Sequence, residues 1–177
     1  MAEHVHCRVP DGAADLNRPQ DSFGFRLWHV VHAWQRRVER VLAPFDLTHM
    51  QFVVLAITSW LAYLGETPSQ SRIANFGNID RMTLSNVLRL LEDKGYVERT
   101  PHPDDPRANR VDLTHSGRRA IGEAKLIVRE AQDAFFGRLT HAGQTALGEQ
   151  LDALLRFEAC CFEDVPTSMA RSKKNGG

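Results

Sequence analysis

Long apolar runs are missing from this sequence. No stretch approaches the ~18 consecutive apolar residues that a membrane-spanning helix requires, and the N-terminal segment lacks the apolar core of a signal peptide. We therefore expect no membrane partner and a cytoplasmic location.

Cysteine and catalytic motifs are also scarce. Cys7, Cys160 and Cys161 form an odd set without CxxC spacing, unlike a zinc knuckle or a secreted disulfide framework. His29 and His32 lie three residues apart, but no third metal ligand accompanies them. GxSxG, HExxH, P-loop and GxGxxG motifs are absent. The sequence predicts no enzyme activity, no cofactor and no metal site.

A charge of one sign is missing as well. The 22 basic and 22 acidic side chains cancel, so the basic excess of many nucleic-acid binders is not present. Any phosphate-binding surface must therefore be local. The neutral balance also keeps open an alternative, in which the protein is an interaction module that binds other proteins without binding DNA.

What the chain does have is helical periodicity. At 177 residues and 42% hydrophobic content, it is long enough for one domain with a real core. Apolar spacing predicts helices over residues 21–43, 51–64, 70–76, 78–95, 115–139 and 143–162. Strand-like alternation is confined to 96–100 and 109–114. The ends, 1–20 and 165–177, are typical of mobile arms.

The helix over 78–95 carries two separate signals. Asp80 is a candidate N-cap, Gly95 a C-terminal stop, and apolar side chains at 84, 87, 88 and 91 share one face. Near its N-terminus it offers small or cationic hydrogen-bonding side chains, namely Arg81, Thr83, Ser85 and Asn86. This end of a helix favours anions.

The two short strands predict a hairpin, and Thr114 is a candidate N-cap for the helix that follows it. The order helix, helix, short helix, capped helix, hairpin is that of a winged helix-turn-helix. The predicted fold class is mainly α with a small β-hairpin wing. The DNA-binding domain spans 45–114, and the flanking segments 21–44 and 115–164 form a helical dimerisation region.

The tip of the hairpin reads HPDDPRANR. Its prolines restrict the backbone, and Arg107 is placed where a cation enters the negative potential of a narrow minor groove. Asp105 cannot favour phosphate, but paired with Arg107 or Arg110 it would fix the shape of the wing. Arg72, on the preceding short helix, is a candidate contact to the DNA backbone.

Two motifs resemble the MarR family of bacterial transcription regulators, over roughly residues 25–160. IANFGNIDRMTLSNVLRLLEDKGYVERT is similar to the helix-turn-helix of the family and its first wing strand, and DPRANRVDLTHSG to its D-x-R wing and the following junction. The resemblance implies a homodimer whose recognition helices read a pseudo-palindrome. It places Thr83, Ser85 and Asn86 at bases or phosphates, Arg81 at a phosphate and Arg107 in the minor groove, with Asp105 as brace. Members often carry a second basic side chain where this sequence has Asn86.

The apolar seams on residues 27–41, 121–135 and 147–155 agree with a dimer, since packing across a two-fold would cover all three. Half-sites about one helical turn apart, ~10 base pairs, would follow.

The resemblance also implies a small-molecule pocket between the dimer helices and the DNA-reading lobe. The side chains on the corresponding elements are Trp28, His29, His32, Trp60 and Tyr63, which suit an aromatic or phenolic effector that relieves repression. An alternative is redox sensing by Cys7, because some relatives use an N-terminal cysteine as an oxidation switch.

Overall fold

The computed structural model describes residues 18–101 and 109–161, with side chains described up to residue 156. The chain divides into two compact units, one ending at Arg37 and the other beginning at Val38. The elements, in chain order, are a 3₁₀ turn (Pro19–Asp21), α1 (Phe23–Leu42), a second 3₁₀ turn (Ala43–Phe45), α2 (His49–Tyr63), α3 (Gln70–Gly77), α4 (Arg81–Asp93), β1 (Val97–Pro101), β2 (Asn109–Leu113), α5 (His115–Phe136) and α6 (His141–Cys161). The predicted fold, mainly helical with one hairpin, is confirmed.

Helix caps explain where the elements begin. Thr48 opens α2 with a reciprocal capping box: its hydroxyl accepts from the Gln51 amide at 3.2 Å, and its own amide donates to Gln51 Oε1 at 3.1 Å. This cap starts α2 two residues earlier than the apolar pattern predicts. Asp80 and Thr114 cap α4 and α5, as predicted.

Helix α2 lies at the centre of the second unit and packs against α3, α4 and α5. Val54, Leu55 and Leu61 are fully buried on it, and Thr58 is buried with its hydroxyl donating to the Val54 carbonyl. Each such aliphatic side chain contributes about 1.5–3 kcal/mol through burial. The prediction that α2 is buried holds for this face only, because Trp60 is 47% exposed.

The hairpin is antiparallel, with Val97 opposite Leu113 and Pro101 opposite Asn109. Its inward side chains join the core, Val111 being fully buried. The Val111 amide also donates to the Pro68 carbonyl at 2.8 Å. The segment that leads into α3 therefore lies against β2 and holds the base of the wing.

Much of the predicted α5 seam is buried within the chain itself. Ile121, Ala124, Val128 and Ala131 are all buried, and α5 packs against α2 of its own chain. These four positions are covered within one subunit, whereas Phe135 at the end of the stripe is half-buried.

Other apolar surfaces do lie open. Leu27 and Val31 on α1 are 50% and 40% exposed. Helix α6 presents four exposed leucines, at positions 147, 151, 154 and 155. Solvated leucines at helical spacing are typical of a surface that meets another chain.

No single helix among residues 18–101 and 109–161 is long and apolar enough to cross a membrane; α1 with its following turn and α2 meet the length and composition test only as a bent pair.

Candidate nucleic-acid interface

Helix α4 begins at a tightly made cap. Asp80 Oδ1 accepts from the Thr83 amide at 2.8 Å. Hydrogen bonds from the Thr83 side chain and then from its amide hold the pKa of the Asp80 carboxyl below its usual range. The Thr83 amide therefore completes the cap, and the contact of its side chain with DNA stays a prediction.

The outward face of α4 is defined by what the inward face buries. Leu84, Val87, Leu88 and Leu91 are buried on one side. With 3.6 residues per turn, the positions opposite this stripe are 82, 86, 89 and 93. All four are exposed, and they present methionine, asparagine, arginine and aspartate.

The predicted contact residues occupy different parts of this helix. Asn86 is exposed on the outward stripe, and Arg81 is exposed in the first turn. Thr83 and Ser85 are half-buried on opposite flanks. Met82 and Arg89 were not among the predicted contacts, because the prediction favoured polar side chains near the helix N-terminus. Their angle from the buried stripe is the signal that identifies them.

Arg72 is engaged within the chain. Its Nε lies 2.8 Å from Glu66 Oε2 and its Nη2 lies 3.0 Å from Glu66 Oε1, a two-point pairing across the loop before α3. The guanidinium also lies 5.8 Å from the ring centre of Phe76. The hydrogen bond from Arg72 holds the pKa of Glu66 below its usual range. Arg72, a candidate phosphate contact, is thus already paired with the Glu66 carboxylate.

The described part of the wing contains a second ion pair. Arg110 Nε lies 2.5 Å from Asp112 Oδ2, and its Nη2 donates to Asp112 Oδ1 at 2.7 Å. Among the described residues the partner of Arg110 is Asp112, two residues along the same strand. Asp105 and Arg107 lie outside the described residues, so the pairing of Asp105 with Arg107 or Arg110 stays a prediction.

A further pair ties α4, the candidate recognition helix, to the wing. Arg99 on β1 donates to the Glu92 carboxylate on α4, and this bond raises the pKa of Arg99. The end of α4 and the first wing strand are therefore held by an ion pair as well as by the chain.

The candidate effector residues fall into two groups, one in each unit. In the first unit, the His32 ring meets Trp28 edge-on at 4.3 Å between centres, and His29 meets Phe25 edge-on at 4.4 Å. Trp28 is 55% exposed. These rings form a partly solvated aromatic cluster on α1.

In the second unit, Trp60 stacks on Tyr63 with ring centres 5.6 Å apart. Tyr63 is one wall of a cavity of about 280 Å³. The cavity is lined by residues of α2, β2 and α5, namely Thr58, Ser59, Ala62, Tyr63, Val111, Asp112, Leu113 and Arg118. At its edge, Lys125 Nζ donates to Ser59 Oγ at 2.9 Å, and burial lowers the pKa of this amine.

The candidate redox residues cannot be located in the same way. Cys7 lies outside the described residues, and so do the side chains of Cys160 and Cys161, whose backbone ends α6.

Comparison with known proteins agrees with this geometry. The sequence profile of the MarR family matches residues 47–108, from the start of α2 into the wing. An uncharacterised HTH-type transcriptional regulator of Bacillus subtilis, YdcH, is 42% identical over 67% of this chain and 80% of its own. The Mycobacterium tuberculosis HTH-type transcriptional repressor Rv2887 is 30% identical over 74% of this chain and 91% of its own.

Solved structures show the same architecture. A mutant of E. coli MarR in complex with operator DNA superposes with a TM-score of 0.69 at 26% identity, covering 75% of this chain and 92% of that one. CouR of Rhodococcus jostii, bound to p-coumaroyl-CoA, gives a TM-score of 0.67 at 25% identity over 86% and 99% of the two chains.

A capped recognition helix, a paired wing and these likenesses define a winged helix-turn-helix transcription regulator. The chain belongs to the MarR family.

Proposed function

We propose that this protein is a homodimeric transcription repressor that binds a pseudo-palindromic operator and releases it when a small aromatic ligand binds. The proposal rests on the outward stripe of α4, where Asn86 and Arg89 are exposed. The opposite side of the same helix is buried in the core. The repressor named among the relatives supports the direction of regulation. Such a protein acts in the cytoplasm, where bacterial DNA lies.

The DNA contacts follow from side-chain chemistry. Asn86 suits an adenine, because its amide matches the N6 and N7 groups in the major groove. Arg81 and Arg89 suit phosphates, and Ser85 on the flank donates to either a base or the backbone. Thr83 acts mainly by holding the helix start.

The wing supplies the remaining contacts. Arg107 enters the adjacent minor groove, and Asp105 braces the tip. Arg72 contributes to phosphate binding only to the extent that it leaves Glu66, to which it is bonded at 2.8 Å.

The dimer buries the apolar surfaces that one subunit leaves open, namely the outward residues of α1 such as Leu27 and Val31, and the exposed leucines of α6. A two-fold arrangement sets the two α4 helices in successive major grooves, with half-site centres about 10 base pairs apart.

The effector is an aromatic or phenolic compound. CouR, which carries p-coumaroyl-CoA, is a structural neighbour with a phenolic ligand. Here the exposed aromatic side chains Trp28 and His29 on α1, with His32 half-buried beside them, and Trp60 and Tyr63 on α2 are the candidate contacts. A ligand that prefers one arrangement of the recognition helices changes operator affinity by its differential free energy, typically about 1–3 kcal/mol.

The test is selection of bound sequences from a random duplex pool, followed by affinity for the selected site at two salt concentrations. We expect a pseudo-palindrome with ~10 base pairs between half-site centres, and an affinity that falls roughly a hundredfold or more from 50 to 200 mM salt. A scrambled duplex of the same composition is the control. Failure of the folded dimer to enrich any sequence would overturn the proposal.

A further inference from the structure

Met82 is the most exposed large apolar side chain described on the recognition helix. It is the second residue of α4, and 77% of its surface is open to solvent, compared with 42% for Leu90 further along the helix. Methionine usually fills gaps in apolar cores, so a solvated methionine opposite the buried stripe is an unusual use of this side chain.

The position of Met82 on α4 puts it beside the candidate base-reading residue. Met82 and Asn86 are four residues apart, so they are neighbours on the same helix face, about 5–6 Å apart at Cβ. Successive base pairs are separated by about 3.4 Å along the DNA axis. The two side chains therefore reach base pairs no more than about two steps apart.

The major groove offers Met82 one apolar partner among the four bases. Thymine presents a 5-methyl group there, whereas the other bases present hydrogen-bond donors and acceptors at their edges. A thioether side chain cannot donate a hydrogen bond, so it gains most where it covers that methyl group.

We propose that Met82 specifies a thymine in each half-site, within two base pairs of the adenine recognised by Asn86. This inference rests on the proposed function, because it takes α4 to lie in the major groove. It adds a base preference that polarity alone does not indicate, since Met82 is an exposed apolar side chain on the outward face of α4.

The experiment replaces each thymine of the selected operator in turn by 2′-deoxyuridine, which removes only the methyl group and keeps Watson–Crick pairing. For the wild-type protein, we expect one thymine per half-site at which uracil weakens binding about fourfold, equivalent to the ~0.8 kcal/mol of one buried methyl-sized group. For Met82→Ala, the thymine-to-uracil affinity ratio at that position should fall to about one.

The matched control is Leu90→Ala, which shortens another exposed apolar side chain on the same helix. It should keep the fourfold ratio. Thermal unfolding of both variants checks that the helix is intact, since neither side chain is buried.

The outcomes separate the two proposals. If wild type binds its operator but no thymine responds to uracil, or if Met82→Ala keeps the ratio, the role of Met82 is wrong while the regulator proposal stands. If wild type selects no duplex at all, the proposed function itself fails, and the Met82 inference fails with it.

Discussion

Lys94 donates a hydrogen bond of 3.2 Å from Nζ to Oε1 of Gln51, a residue 43 positions earlier in the chain. The same amine lies 3.0 Å from the Asp46 carboxylate and donates to the Asp46 carbonyl. Two residues later, the Tyr96 hydroxyl donates to the Phe45 carbonyl at 3.4 Å. The residues that follow the recognition helix thus hold the turn that joins α1 to α2.

Replacing Lys94 by methionine should test this connection. The change keeps most of the apolar stem and removes the charged donor, so we expect the free energy of unfolding to fall by about 1–2 kcal/mol. Urea unfolding measures it. Lys125→Met is the control: its amine donates to Ser59 on the outside of α2, and the expected loss is about 0.5 kcal/mol or less. Equal losses in the two variants would contradict a special role for Lys94.

Gly117 should tolerate no side chain. A Cβ built there would lie 1.9 Å from the Tyr96 carbonyl oxygen, so alanine must push α5 away from the turn before β1. We expect Gly117→Ala to destabilise the protein by about 3 kcal/mol or more, measured by urea unfolding.

Gly122 provides the matched change on the same helix. A Cβ there meets nothing within 4 Å, so Gly122→Ala should raise stability by about 0.5–1 kcal/mol through helix propensity. If the two alanine variants have the same free energy of unfolding, α5 does not approach the Tyr96 carbonyl as closely as described.

The helices and the hairpin were predictable because their signals are local. Asp80 and Thr114 are caps that can be identified from a few neighbouring residues, and apolar spacing marks the buried faces. The partner of Arg72 was not predictable, since Glu66 contacts it across a loop whose sequence has no helical or strand periodicity. Met82 is not predictable as a contact from polarity, since only its angle from the buried stripe places it on the outward face of α4.

The Asp80 cap should give α4 a dependence on pH. Its folded-state pKa is lowered, so the stabilisation is present above the unfolded value of about 3.9 and is lost as pH falls through the lowered folded value. Asp80→Asn keeps an oxygen acceptor but does not titrate.

Unfolding in urea at pH 7 and at pH 3 tests this dependence. Wild type should exceed Asp80→Asn in stability at pH 7, where the charge also favours the helix N-terminus, and the difference should shrink at pH 3. Asp80→Ala should be the least stable of the three at pH 7. A difference that is the same at both pH values would show that the charge of Asp80 does not contribute.

Glu66 should limit the affinity for DNA by occupying Arg72. Glu66→Gln leaves a neutral partner, which frees the guanidinium for a phosphate. We expect several-fold tighter operator binding at low salt. The plot of log affinity against log salt concentration should also be steeper, by up to about 0.9 in its slope. Titrations at a series of salt concentrations measure both.

Glu123→Gln on α5 makes the same change in net charge at an exposed site. It should leave the slope unchanged. If Glu66→Gln behaves like this control, Arg72 does not reach the DNA backbone.

The most direct test of the account concerns Asn86, at the centre of the outward stripe of α4. Selection from a random duplex pool would be run in parallel for the wild type, for Asn86→Ala and for Glu123→Ala as a surface control. We predict that Asn86→Ala retains the half-site spacing but loses the preference for one adenine in each half-site, while the control keeps the full wild-type site. Selection of the same site by all three proteins would contradict the claim that this face of α4 reads the operator.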